Sequence, residues 1–563
     1  MNFTLKRTII VLIAFLPLML VACKDREEIP DPPGYAEKDL QLEERLQNYL
    51  SQTYPCEITS VEVTATQVLV RGNAAEEHEN LYLGEIPPYM DVVNATGFLT
   101  TQPVGKGNFE ICMERFTETE GMKYDRLLSK WVLFKKGTES NEIVSAARHP
   151  DSIYASQQLS PIKLHSKKGI GGLFYNQFVS DIDDLDISSG TVNVVVDHFF
   201  HLQQLSGDVP YEYGGKTYYV NENYLETTLD RILTLAAQKE VAVAAILLFD
   251  KAENCPDPSF GQLMQHPDFN GGIYTMPNMT TPESVHTYAA LMNYLASRYC
   301  RTDNRYGRIA HWIIHNEVDA AIQWTNMGDK PITVLTDTYL KSLRLCYNIA
   351  RQYDPHTEVL ASFTHSWSIP CYPGWHPVKD MLNLLVQYSQ KEGDFQWGLA
   401  YHSYPQDLLN PRSWDDPRAT LSMDTEYVTF RNLEVLNRWV LTSENKFRKK
   451  IKRSVWLSEA GINCREYSDE GFKEQAAGFA YAWKKINALE GIDGLQWHNW
   501  FDNEGDGAGA MLGLRKFIDS HNGEPKPVWE LYRQAGTATE DEAFSESLEV
   551  IGIPDWNSVI TPF

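Results

Sequence analysis

The chain runs to 563 residues, enough for more than one domain with its own core, and carries 75 acidic against 50 basic side chains for a formal charge of −25. That balance argues against nucleic acid or anionic lipid surfaces as partners and disfavours polyanionic glycans, whereas neutral sugars meet no such penalty. No CxxC or Cys/His cluster has zinc-like spacing, so neither a metal nor a cofactor is expected.

Lys6 and Arg7 precede an apolar run from Thr8 to Ala22. The run is shorter than the roughly 20 residues a membrane span needs, so it reads as a secretory signal, residues 1–22. Leu20-Val21-Ala22-Cys23 matches the lipobox of bacterial lipoproteins, which implies a lipid anchor on Cys23; the plainer alternative is an ordinary signal peptide with an incidental cysteine. Residues 23–54 then form a tether with an amphipathic helix between Ala36 and Tyr54, where leucines recur at helical intervals. Lys24-Asp25 with Glu27-Glu28 resembles a charged surface-export tag. The expected location is the bacterial outer membrane or cell surface, with the periplasmic face as the alternative. An oxidising compartment permits disulfides, and Cys56 with Cys112 is the first pair to test.

Residues 55–150 alternate in strand fashion, as in Ile58 to Val63 and Gln67 to Arg71, and predict a small β-sandwich. A structural cap is favoured for it over a dedicated carbohydrate-binding module. Residues 165–535 change to strands alternating with helices. The strands are expected at 169–174, 191–197, 241–249, 311–316, 358–363, 396–402, 454–458 and 494–499. The helices are expected at 222–238, 283–299, 337–353, 378–390, 427–449 and 473–489, and residues 536–563 form a tail. Eight strands separated by helices predict a (β/α)8 TIM barrel. A doubly wound sheet would carry a glycine-rich turn after its first strand, and Phe174-Tyr175-Asn176-Gln177 is not one.

Two of these strands end in a carboxylate. His311-Trp312-Ile313-Ile314-His315-Asn316-Glu317 closes strand four and Ser454-Val455-Trp456-Leu457-Ser458-Glu459 closes strand seven. A buried strand ending in an acid is costly unless the acid has a task. Barrel strands end on one rim, where a pair of carboxylates is what glycosidic cleavage requires. Asn316-Glu317, Glu459, a His402-Ser403-Tyr404 motif on strand six and tryptophans on strand eight together resemble the largest clan of retaining glycoside hydrolases, over residues 168 to about 535. The whole chain also resembles an uncharacterised family of exported bacterial proteins described only as candidate glycosidases.

The resemblance implies a (β/α)8 barrel that cleaves β-linked sugars; with the acidic charge the expected substrate is a neutral oligo- or polysaccharide, and the expected state is a monomer. It implies Glu317 as acid/base and Glu459 as nucleophile, Asn316 on the sugar 2-hydroxyl, Tyr404 supporting Glu459, and His402 on a carboxylate or the sugar. Trp497 and Trp500 are candidate stacking platforms, and Trp324, Trp367, Trp375 and Trp414 lie in rim loops. Asp197, His198, Asp250 and His365 are candidate hydroxyl partners. One departure stands out: the clan often places an arginine at the end of strand two, where this chain has Val195-Val196-Asp197-His198-Phe199, so His198 is the candidate substitute. Asp502 to Gly507 begins like a calcium loop, but Gly513 stands where the bidentate acid belongs, so a lip on the cleft is the better reading, with Gly505 to Gly513 as a candidate lid. The rival function is a glycan-binding lipoprotein that keeps the barrel without turnover.

Overall fold

The structure is a computed structural model that describes residues 34–75, 80–94, 97–137 and 140–561. Cys23 and the signal segment lie outside the described residues. Among the described residues no helix is long and apolar enough to cross a membrane.

A helix over Glu37–Ser51 opens the described chain and buries Leu46, Tyr49 and Leu50. Two four-stranded sheets follow, built mainly from strands at Glu57–Val63, Gln67–Ala74, Leu81–Ile86, Gly107–Glu114 and Lys130–Lys135. Their strict alternation places Val61, Val63, Val68, Val70, Leu83, Trp131 and Leu133 in one shared core, which makes this unit the expected sandwich. The same alternation overturns the expected disulfide. Cys56 is buried and Cys112 is exposed on its strand, and both thiols are free.

The remainder is a closed barrel of eight strands, β1 to β8: Lys168–Ile170, Ser189–Val195, Ala242–Leu248, His311–Ile314, Val359–Phe363, Trp397–Tyr401, Val455–Ala460 and Gly494–Trp497. Every pairing is parallel, and β1 closes on β8. The alternate residues Ala242, Ala244, Ile246 and Leu248 of β3 point inward and share the barrel interior with Ile313, Leu360, Ala400 and Trp456. Alanines interleaved with branched aliphatic side chains and one large indole fill the interior.

Five of the six expected helices are present in outline; the stretch expected to be helical from Tyr427 to Lys449 is not one helix. Only Glu434–Leu441 is helical, between short 3-10 turns. The expected C-terminal tail also folds back: short helices at Glu540–Ala543 and Ser545–Ile551 cover the long helix Asp469–Ala488, with Phe544 buried and Glu540 accepting a bond of 2.7 Å from Trp483 Nε1. Between β2 and its helix lies a three-stranded antiparallel excursion over residues 200–220 that the alternation left unread.

The sandwich is fastened to the barrel by a buried acid. Glu392 ends the helix Val378–Glu392 and is fully buried. It accepts from Lys130 Nζ at 2.8 Å and Tyr49 Oη at 2.9 Å, with His149 Nε2 at 3.3 Å. Burial alone would raise its pKa; Lys130 and His149 outweigh that and hold it far below the usual carboxylate range.

Candidate active site

Strand periodicity decides which side chains reach the barrel mouth, and it holds on two strands and is broken on two. Ala400 points inward on β6, so His402 and Tyr404 follow on the same side. On β8, Gln496 reaches inward to Ser189 Oγ at 2.7 Å. His498 therefore faces the cavity while Trp497 turns outward.

On β7 the register against β8 slips between Leu457 and Ala460. A bulge of this kind re-aims a side chain. With Trp456 inward, strict alternation would send Glu459 out; the slip returns it to the cavity. After β4, His315 and Glu317 take φ values of 62° and 39°, in the left-handed region that non-glycine residues avoid. Such a conformation costs on the order of 1–3 kcal/mol per residue and persists only when surroundings impose it. Here His315 is held by Ser342 Oγ at 2.9 Å and the Leu247 carbonyl at 3.2 Å, and the Glu317 N–H donates to Ser362 Oγ at 3.0 Å.

The two glutamates meet across a single imidazole. His402 Nδ1 lies 2.8 Å from Glu317 Oε1 and 3.9 Å from Glu459 Oε2, so those oxygens are no further apart than the sum, about 6.7 Å. Tyr404 Oη donates to Glu459 Oε1 at 3.0 Å. Glu459 is held below the ordinary carboxylate value. Burial pushes it up, but the His402 and His498 charges and the Tyr404 hydrogen bond pull it down further. His498 and His402 are displaced upward: burial opposes their charge, and nearby carboxylates, Glu459 foremost, outweigh it. Asp506 stands 3.5 Å from His498 Nε2 and accepts twice from Asn499 Nδ2, at 2.8 and 2.9 Å.

Asn316, Glu317, Tyr404, Glu459, His498 and Asp506 all line one open cavity, with Asp250, Tyr274 and Trp324 on its far wall. Trp324 and Tyr274 stack at 6.0 Å with 25° between their planes. His402 is buried beneath the two acids it joins.

Other expected contacts are not made. Trp497 is fully buried against Phe479 at 5.4 Å, its Nε1 donating to the Leu512 carbonyl at 2.8 Å. Trp500 is buried too, its Nε1 donating to Asp181 Oδ2 at 2.8 Å. Both are packing residues: Trp497 turns to the helix layer against Phe479 and Tyr532, and Trp500 packs on Phe174 and Phe501. His365 is enclosed beside Tyr427 and stands off the cavity wall, its pKa pushed down to about 4, mainly by burial. His198 turns to Tyr224 and Asp197 rather than to Glu459, so it does not take the place of the absent arginine. His402 and His498 supply the positive field instead. Of the four rim tryptophans only Trp324 lines the cavity; Trp367 and Trp375 are buried, and Trp414 packs on Tyr481. Asp502 is no calcium ligand: it is buried with Lys526 Nζ at 2.8 Å and Tyr467 Oη at 2.7 Å. His498 and Asp506 were the residues missed as a pair, although the alternation on β8 that exposes Gln496 inward also marks His498.

The chain belongs to a family of unknown function, DUF5722, whose model matches residues 160–559. No curated protein matches it. Among solved structures it is similar to a family 39 glycoside hydrolase from the gut symbiont Bacteroides cellulosilyticus WH2, at 14% identity and a TM-score of 0.42 over 86% of this chain and 83% of that one. It is also similar to a glucosidase from Croceicoccus marinus, at 10% identity and a TM-score of 0.40 over 68% and 69% of the two chains. A β-D-glucuronidase from Dictyoglomus thermophilum matches at 12% identity and a TM-score of 0.34 over 85% and 68%. At these values the likeness assigns no residue a role.

Proposed function

We propose that this protein is a retaining glycoside hydrolase that cleaves β-linked neutral glycan, with Glu317 as acid/base and Glu459 as nucleophile. The observation that carries the proposal is the pair of carboxylates held within about 6.7 Å by one imidazole at 2.8 and 3.9 Å. Retaining enzymes place their carboxyl groups about 5–5.5 Å apart, whereas inverting ones leave roughly 6.5–9.5 Å for a water. Reaching the upper bound would require His402 Nδ1 to sit on the line between the two oxygens, so the retaining range is favoured.

The surroundings divide the labour. Tyr404 occupies Glu459 Oε1, leaving Oε2 to attack the anomeric carbon as the glycosidic C–O bond breaks. His402 occupies Glu317 Oε1, leaving Oε2 to deliver its proton to the departing oxygen. In the second half the Glu317 carboxylate takes a proton from water, the hydroxide oxygen bonds to the anomeric carbon, and Glu459 leaves as a carboxylate. Asn316 lines the same cavity, which supports its assignment to the 2-hydroxyl, where a hydrogen bond strengthens as positive charge develops on the ring. Trp324 and Tyr274 offer a stacked wall for a further sugar.

The acidic side chains of the lining support a neutral substrate. Asp250, Glu317, Glu459 and Asp506 all face the cavity, and Lys251 is paired with Glu253 at 2.5 Å. A uronic acid would add a fifth carboxylate to that field. Export and anchoring through Cys23 belong to the same proposal and place the enzyme where external glycan is met.

Hydrolysis of a panel of aryl β-glycosides and neutral polysaccharides tests the reading. Glu459→Gln abolishes turnover with the circular dichroism spectrum unchanged. Glu317→Ala slows substrates with poor leaving groups far more than activated ones, and azide restores part of the loss on the activated ones. Binding without turnover, indifferent to both substitutions, would establish a glycan-binding protein instead.

A further inference from the structure

The top of β2 and β3 holds a cluster that the hydrolytic reading leaves unused. Register pairs Val195 of β2 with Leu248 of β3. Continuing the alternation that points Leu248 into the barrel brings Asp197 and Asp250 to one layer, side by side. The Asp250 N–H donates to Asp197 Oδ1 at 3.1 Å. Asp197 is 1% exposed, yet its Oδ2 has no hydrogen-bond partner. An orphaned carboxylate oxygen at that depth is costly and calls for a ligand.

His198 supplies a third donor. Its Nδ1 lies 3.1 Å from Tyr224 Oη, which leaves Nε2 facing Asp197 Oδ2 at 3.9 Å, too long for a hydrogen bond. On Asp250, Oδ1 is taken by the Lys251 N–H at 2.7 Å and Asn254 Nδ2 at 2.8 Å. One atom from each of Asp197, His198 and Asp250 lies within 4.8 Å of the other two. Ligands about 2.1 Å from a shared ion stand roughly 3–4 Å from each other; the 3.9 Å between His198 Nε2 and Asp197 Oδ2 meets that spacing, and a bound ion needs at most a small inward movement of the third group.

We propose that Asp197, His198 and Asp250 bind a divalent first-row cation, Zn²⁺ or Mn²⁺, in the wall of the cavity. Two carboxylates and an imidazole form a mixed oxygen and nitrogen set that suits these ions, whereas Ca²⁺ takes six to eight oxygens. The Nδ1 contact with Tyr224 is the outer hydrogen bond that fixes the ring of a metal-binding histidine. Asp250 lines the cavity, so the ion's remaining positions open toward water or a substrate hydroxyl. Only residues 197 and 198 are neighbours in sequence; the third ligand comes from another strand, which is why no spacing motif reveals the set.

The test is calorimetric titration of the chelator-stripped, untagged chain with ZnCl₂, MnCl₂ and CaCl₂ separately. One equivalent of Zn²⁺ or Mn²⁺ binds saturably. Asp197→Asn, which keeps an oxygen for the Asp250 N–H, and Asp250→Asn each weaken binding at least tenfold with the circular dichroism unchanged. His198→Gln, at a partly exposed position, does the same if an aspartate variant fails to fold. No saturable binding, binding undiminished in the variants, or uptake of Ca²⁺ alone would overturn the proposal. The readout is independent of hydrolysis, so a protein that cleaves no glycoside still answers it.

Discussion

Tyr404→Phe removes one oxygen and leaves a ring that packs near His498 at 6.3 Å. The lost contact is the 3.0 Å bond to Glu459 Oε1. Hydrogen bonds to charged groups contribute about 1.5–3 kcal/mol, and water replaces some of that at Glu459, whose side chain is 25% exposed. A net loss of about 1–2 kcal/mol remains, which is ~5–30-fold in kcat/KM if the bond persists into the transition state. It also raises the Glu459 pKa, because this bond is one of the interactions that hold it down. The sign follows from the site. Glu459 is held low partly by this bond, and in its proposed role as nucleophile it must be ionised, so activity is lost as pH falls through its pKa. Removing Tyr404 Oη therefore moves the acidic limb of the kcat/KM profile upward, while the basic limb stays. The assay is a pH series of initial rates on an activated aryl β-glycoside, since kcat/KM reports the free enzyme. An acidic limb that does not move, with kcat/KM within twofold of the parent, would refute the role given to Tyr404.

The two classes of tryptophan separate cleanly. Trp324→Ala raises KM about 2–13-fold on oligosaccharides, from ~0.5–1.5 kcal/mol of stacking, and leaves the urea midpoint nearly unchanged. Trp497→Ala, in contrast, empties a fully buried site and costs about 3–5 kcal/mol in urea unfolding. Arg515→Met strands Asp181, which accepts from Arg515 at 2.6 and 2.7 Å, and costs about 3–5 kcal/mol by the same measurement.

The barrel was legible because its strands are buried on both faces and so read as short aliphatic runs between helical periods. Most runs also ended near their true boundary, as with Val359–Phe363 and Trp397–Tyr401, although the first, expected to reach 174, stops at Ile170. The carboxylates were legible for the same reason, an acid closing an apolar run. Orientation was not. Trp497 and His498 differ by one position, and a one-residue difference sends a side chain to the opposite face. The slip between Leu457 and Ala460 that turns Glu459 inward leaves no mark in composition. The stretch from Tyr427 to Lys449 carries helix-forming residues throughout, yet Thr429 with Asn432 builds a capping box and Thr442 takes an extended conformation, so local hydrogen bonds restrict the helix to Glu434–Leu441. Pairings across the chain, such as Asp197 with Asp250, exist only once the sheet closes.

Glu392 has a consequence for anyone who trims this protein. A fragment begun near residue 160 discards Lys130, His149 and Tyr49 together, and with them both ion-pair partners of that acid. What survives is a buried acid stripped of its hydrogen-bonded cations, with the barrel's own Arg344 left as a charged neighbour, and the lost bonds must be replaced by a proton or by water. The N-terminal unit thus acts as a keystone, and the protein is better handled whole than pared to its barrel.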